Sequence, residues 1–259
     1  MHIHTDVPQQ VTESVERYGT VTHLKVDDME RQHHVLVIDS VPHERSVVVV
    51  APGEGFEAIV RELGAEVTVP ATINPSVRDL LLAINKTLSD EVVLFVNDKN
   101  VEMAAREAVE RSEKHVSIVP TPNIVTGIAG LFALRALGDE SVPAVDWILR
   151  ESMRVRAAQL FFAGKDALHG SLRIARGKPV AQLDGELFVS ETVKETLLAV
   201  VKAMGGDRGA LLTLYYGGAQ RERDAKVLAD AMREAFPNLD VEYYYGGMNN
   251  AEYWIALDD

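Results

Sequence analysis

Two histidines stand two positions apart in "MHIHTD" at the start of the chain. On an extended segment His2 and His4 face the same way about 7 Å apart, a span one zinc ion can bridge through imidazole nitrogens. Two ligands do not complete a zinc site. A third has to come from Asp6, His23, His33, His34 or a group outside this chain, and plain solvated histidines are the other reading. A second set of polar groups lies at the ends of apolar runs: Thr72, Asn74 and Ser76 after one, Asn97, Lys99 and Asn100 after the next, and Thr121, Asn123, Thr126 and Gly127 after a third. Open parallel sheets bind ligands just beyond the carboxyl ends of their strands, where such hydroxyls and amides could hold a carboxylate or phosphate. Helix caps and turns employ the same residue types, so the sequence leaves both readings open.

Gly53, Gly55 and Ala58 in "APGEGFEA" satisfy the G-x-G-x-x-A spacing of a dinucleotide-binding turn. The acidic residue expected about twenty positions on is missing, since "VPATIN" stands there. Glu54 and Glu57 also occupy the turn where a pyrophosphate needs the positive end of a helix. The segment reads instead as a glycine turn with acidic helix capping. "ARGKP" lacks the glycine spacing and hydroxyl residue of a P-loop, and nothing matches G-x-S-x-G or H-E-x-x-H. The string Tyr-Tyr-Gly-Gly occurs twice, as Tyr215, Tyr216, Gly217, Gly218 and as Tyr244, Tyr245, Gly246, Gly247. Two adjacent strands ending alike would set paired glycine turns side by side, and tyrosine supplies apolar area with a polar tip that suits a partner contact. Chance recurrence is the alternative.

The elements that must position these groups alternate in type. β-branched runs at 33–39, 46–51, 66–70, 91–97 and 115–121 are separated by several amphipathic stretches, the pattern of βαβ units around a buried parallel sheet. Pro75 and Ser76 mark one helix start, and Asp98 or Asn100 can cap the next helix, where Glu102–Arg106, Glu107–Arg111 and Glu110–Lys114 have i,i+4 spacing. Residues 33–137 read as one α/β lobe. The pattern breaks at Gly138 and Pro143, and a second lobe, 138–259, reads as a hairpin of two short strands around Gly177, Lys178 and Pro179, helices at 190–204 and 219–235, and strands ending in the tyrosine strings and in "YWIALD". The expected class is α/β, with a parallel-sheet lobe and a second, mixed α/β lobe.

Composition narrows the chemistry. At 259 residues with 47% hydrophobic content the chain is long enough to bury a large core. A net charge of −13 disfavours nucleic acid and anionic headgroups as partners. No apolar run approaches the roughly 20 residues of a membrane span, and no signal peptide is visible. With no cysteine there is no disulfide or thiolate chemistry, which fits a cytoplasmic protein.

In order along the chain, "HIHTDVPQQVTESVERYGTVTHLKVDDMERQH", "VVVVAPGEG", "TINPSVRDLLLAI", "VNDKNVEMAAREA", "IVPTPNIVTGIAGLFAL", "LTLYYGG" and "VEYYYGG" resemble the C-terminal two thirds of the catalytic component of bacterial fatty acid kinases, whose family is dihydroxyacetone-kinase-like and DegV-like. The resemblance implies that 1–32 is the tail of a middle domain and that a two-lobed DegV-like domain follows. It implies that ATP and magnesium are bound by a kinase domain with no counterpart in this chain, and that Met1 marks a truncation, a fragment or a misplaced start. It implies that His2 and His4 belong to a metal site completed upstream. It implies as partners that kinase domain and a separate DegV-like fatty-acid-binding protein; a homodimer is also open. Thr72, Pro75 and Ser76 match the loop with which DegV-like carriers hold a fatty acid carboxylate, whereas "NDKN" replaces their second, Ser-Gly-Thr loop. The expectation is a non-catalytic docking and assembly portion of a fatty acid kinase; the alternative is a free-standing carrier of a fatty acid or small carboxylate. An intact enzyme would need nucleotide-binding residues that the chain does not display.

Overall fold

The computed structural model describes residues 45–258 apart from 72–73, 139–144, 171 and 209–210. All of these belong to the unit Pro42–Asp259. The strand expected at 33–39 lies outside the described residues. From Arg45 onward the alternation is β1 Ser46–Ala51, α1 Glu54–Glu62, β2 Val67–Pro70, α2 Val77–Lys86, β3 Glu91–Phe95, α3 Glu102–Glu110, β4 His115–Val119 and α4 Ile124–Leu137. The four strands form a parallel sheet in the order β2-β1-β3-β4. Successive side chains on a strand face opposite ways, so "VVVV" feeds two cores. Val48, Val50, Val92 and Leu94 pack with Leu80, Ile84 and Ala105 of α2 and α3. Val49, Ala51, Val93 and Phe95 face the other way, onto Phe56, Ile124, Ile128 and Leu131 of α1 and α4.

The second half runs α5 Val145–Ser152, β5 Arg156–Phe162, β6 Ala167–His169, β7 Leu172–Ile174, β8 Pro179–Leu183, β9 Glu186–Val189, α6 Val193–Met204, a 3₁₀ turn Gly206–Arg208, β10 Leu211–Tyr216, α7 Glu222–Ala235, β11 Asp240–Tyr245 and β12 Tyr253–Asp258. Six strands make a mixed sheet in the order β11-β10-β12-β5-β8-β9, in which β10 and β11 alone run parallel. Leu212, Leu214, Tyr253, Ile255 and Leu257 turn to a core covered by α6 and α7. Tyr215, Trp254 and Ala256 turn inward, to the same core that receives Val49 and Phe95. The two sheets are therefore layered, with α1, α4 and α5 between them.

Two expectations need correction. β7 and β8 do lie on either side of Gly177 and Lys178, with Pro179 opening β8, yet they do not pair: β7 pairs with β6, and β8 with β5 and β9. The tight turn of this region is Asp184-Gly185, both residues at positive φ (50 and 88), which suits a two-residue hairpin between β8 and β9. Second, Arg106 and Arg111 find Glu102 and Glu107 as the spacing implied, but Lys114 does not turn to Glu110. Its ammonium donates to Thr87 O (2.6 Å), Thr87 Oγ1 (3.0 Å) and Ser89 O (3.0 Å), clamping the α2–β3 connection. A cation serving three fixed acceptors in a half-buried loop outweighs an exposed i,i+4 pair worth about 0.3–0.5 kcal/mol. Lys114→Met should lower unfolding free energy by about 1–3 kcal/mol in urea titrations, while Glu110→Gln should stay within about 0.5 kcal/mol.

Candidate functional site

β1 carries β2 on one side and β3 on the other, so the sheet order reverses between β1 and β3. In open α/β sheets ligands bind in the crevice beyond the carboxyl ends of such a pair. Here that crevice opens onto Gly53 and Gly55 after β1 and Asn97 after β3. Asn97 is buried in the left-handed region (φ 56), a conformation asparagine tolerates better than most residues. Its Nδ2 donates to Val50 O (2.9 Å) and its Oδ1 accepts from Thr121 Oγ1 (2.5 Å), so one amide ties the ends of β1, β3 and β4 together. Gly127 makes room for it, since a Cβ there would stand 2.0 Å from Asn97 Oδ1.

Of the strand-end residues picked out as ligand groups, the structure thus joins Asn97, Thr121 and Gly127 in a single buried cluster. Thr126 and Ser76 serve helix caps. Thr126 Oγ1 donates to Asn123 O (2.9 Å) and Thr126 N to Asn123 Oδ1 (2.9 Å), capping α4. Ser76 and Asp79 form the reciprocal cap of α2, with Ser76 Oγ donating to Asp79 Oδ2 (2.7 Å) and Asp79 N donating to Ser76 Oγ (3.3 Å). The Ser76 Oγ bond, and after it Ser76 N donating to Asp79 Oδ2 (3.0 Å), hold the Asp79 carboxyl below the usual carboxylate range. Asn100 is exposed and its N–H donates to Asp98 Oδ1 (2.8 Å), and Asn74 is exposed ahead of α2. Thr72, His2 and His4 lie outside the described residues. Among the described residues, no three His, Cys, Asp or Glu side chains come together to hold a metal ion.

The glycine turn after β1 has a role that local pattern did not disclose. Phe56 N donates to Gly246 O (3.0 Å), so the N-terminus of α1, where a nucleotide phosphate would sit, is capped by a carbonyl from the second half of the chain. Gly53 forms a bridge with Met248. A Cβ on Gly53 would lie 2.5 Å from Gly246 O, and one on Gly55 2.1 Å from Tyr245 O. Both glycines are demanded by space, at a joint between the two halves. Tyr245 Oη adds a bond to Glu54 Oε1 (2.8 Å) across the same joint.

The tyrosine strings do lie side by side: β10 and β11 pair in parallel with Tyr215 opposite Tyr244 and Tyr216 opposite Tyr245. Their ring centroids are 6.1 and 5.3 Å apart. Burial divides these eight residues. Tyr215 stacks on Phe56 at 5.0 Å and retains 8% of its exposure, while Gly217 and Gly246 are buried. Tyr216 and Gly247 are half-buried. Tyr244 and Tyr245 on the edge strand keep 46% and 38%, and Gly218 is exposed. Tyr244 Oη donates to Glu242 (2.9 Å), and burial first, then that bond, pushes its phenol up to about 12. Burial pushes Tyr215 up as well, and raises Tyr253 to about 12.

The comparisons with known proteins agree with this geometry. Residues 46–258 match the family model for the C-terminal domain of FakA-like fatty acid kinase proteins, and residues 1–36 match the model for the middle domain of the same proteins. Protein YloV of Bacillus subtilis is 25% identical over 272 residues, covering 100% of this chain and 49% of that protein. An uncharacterized protein of Staphylococcus aureus strain MRSA252 is 23% identical over the same 100% and 49%. The chain thus spans about half the length of these curated relatives, less than the two thirds the resemblance implied. Among solved structures, a DegV lipid binding protein from Thermotoga maritima superposes with a TM-score of 0.57 at 13% identity, over 83% of this chain and 98% of that one. A fatty acid kinase (Fak) B3 protein of Streptococcus pneumoniae, loaded with linoleic acid, gives 0.53 at 11% identity, over 83% and 99%. At such identities the likeness establishes the two-lobed DegV-like fold.

Gly55→Ala should force the joint apart, lowering unfolding free energy by about 1–3 kcal/mol in urea, while Gly164→Ala, with nothing within 4 Å of its added Cβ, should be close to neutral. Because Tyr244 and Tyr253 ionise at about 12 in the folded state against 10.0 for the free phenol, their contribution to stability is complete below pH 10 and is lost as pH rises toward 12. Phenolate absorbance should therefore lag a free-tyrosine curve until the protein unfolds, and Tyr244→Phe should remove one of the late-titrating groups.

Proposed function

The chain belongs to the FakA-like family of fatty acid kinase proteins, and from that premise we propose that this portion serves docking and assembly, with phosphoryl transfer carried out by a separate kinase domain that binds ATP and magnesium. Its partner on this reading is a DegV-like fatty-acid-binding protein that carries the lipid. The supporting observation is that Asn97, Thr121, Thr126 and Ser76 among the strand-end groups are bonded within the protein. Asn97 has its amide donor on Val50 O and its acceptor on Thr121, and the Ser76 hydroxyl belongs to a helix cap. A carboxylate site needs donors that face a ligand, and these face the protein. Tyr244 and Tyr245, by contrast, remain exposed beside Glu242 and Glu54, an aromatic and acidic edge that suits a basic protein surface.

Titration calorimetry of this chain against a fatty-acid-loaded DegV-like protein should give a saturable complex, and Tyr244→Ser together with Tyr245→Ser should weaken it about tenfold or more. Absence of a complex overturns the proposal. The fold neighbours described as binding fatty acids favour one other reading, a carrier in its own right. Native mass spectrometry of protein purified from cells separates the two: a docking module emerges without lipid, and a retained fatty acid establishes the carrier.

A further inference from the structure

Residues 163–178 differ in character from the rest of the molecule. In a chain of net charge −13 this stretch holds four cations, Lys165, Arg173, Arg176 and Lys178, against the single carboxylate of Asp166. Lys178 is paired with Glu191. Among the described residues the side chains of Lys165, Arg173 and Arg176 form no ion pair.

β6 and β7 lie within this stretch and pair only with each other, forming a two-stranded ribbon outside both main sheets. Its root is held firmly. Ile174 is buried with Ala163 and Val180, Gly177 N donates to Ala163 O (2.7 Å), and Arg176 N donates to Asp166 Oδ1 (2.7 Å). Beyond the root the described residues of both faces are open to solvent. The register sets Leu168 opposite Arg173 on one face and His169 opposite Leu172 on the other. Leu168 is 70% exposed, Leu172 37%, and Phe162 at the base 43%.

We propose that this hairpin is a peripheral membrane contact that engages anionic lipid headgroups. A flat protein partner would meet apolar groups gathered on a single face, whereas leucines on opposite faces of a thin ribbon suit immersion in a surrounding medium. The headgroup and upper acyl region supplies that medium, with the arginine stems lying along it and their heads at the phosphates. The net charge of the chain does not forbid the contact, because acidic groups farther than about 8 Å from the surface are screened at physiological salt, while the hairpin's own cations act within that distance. The proposal stands apart from the docking reading, since it uses neither the tyrosine edge nor the strand ends.

The test is co-sedimentation of the full chain with vesicles of phosphatidylcholine alone and of phosphatidylcholine mixed equally with phosphatidylglycerol. Binding should appear with the anionic vesicles and fall as salt is raised. Arg173→Glu combined with Arg176→Glu should reduce it about tenfold or more, and Leu168→Ser about threefold or more. These side chains lie outside the cores, so the thermal melt should be unchanged. In Leu168→Trp, with the native tryptophans as background, emission should shift to the blue only with anionic vesicles. Equal binding to neutral vesicles, undiminished binding of the double variant, or binding to soluble polyglutamate without binding to vesicles would each overturn the proposal.

Discussion

A helix that is apolar on nearly every side is stable in water only if nearly every side is covered. α4 is such a helix, with Ile124, Val125, Ile128, Leu131, Ala133 and Leu134 all buried. One side meets the parallel sheet, where Gly130 lets the Phe95 ring approach and Gly127 admits the Asn97 side chain. Elsewhere it packs on α5 and touches β5 and β12 of the mixed sheet. Each sheet supplies part of the cover, so the inner core of one is completed by the other. Val49 and Phe95 share a cluster with Tyr215 and Met248 for this reason. The change of texture near residue 138 marks a change of sheet within a shared core.

That closeness shapes the chemistry. Drawing the two halves together places Gly246 O on the first turn of α1 and Tyr245 O against Gly55, filling the position at which a doubly wound sheet ordinarily receives a phosphate. Asn97 and Thr121 satisfy one another at the reversal point, as buried polar groups must. The same closure covers the joint, and exposed aromatic, aliphatic and cationic side chains lie instead on the edge strand β11 and the β6–β7 ribbon. These two surfaces have opposite characters, one acidic and aromatic, the other cationic and aliphatic. A single net charge describes neither.

Much of the first half was legible because its signals are local. The "SVVVVA" run became β1 residue for residue, and Ser76 formed the cap its position before "VRDLLLAI" implied. β5 was harder to see. "RAAQLFF" alternates only partly, yet it sits between β12 and β8 in the middle of the mixed sheet. The Asp184-Gly185 turn does carry a signal in the sequence, an Asp-Gly pair between two short apolar runs.

By itself the sequence determined the alternation of elements, the Ser76 cap of α2 and the family, since periodicity, turn chemistry and ordered motifs are properties of short stretches; the side-chain cap expected of Asp98 or Asn100 at α3 did not form. Tertiary structure alone decided which of the tyrosines are covered, what Gly53 and Gly55 are for, and where Lys114 points. Glu54 and Tyr245 are 191 residues apart, and no pattern within either segment encodes which backbone will be pressed against it once two sheets close over one helix.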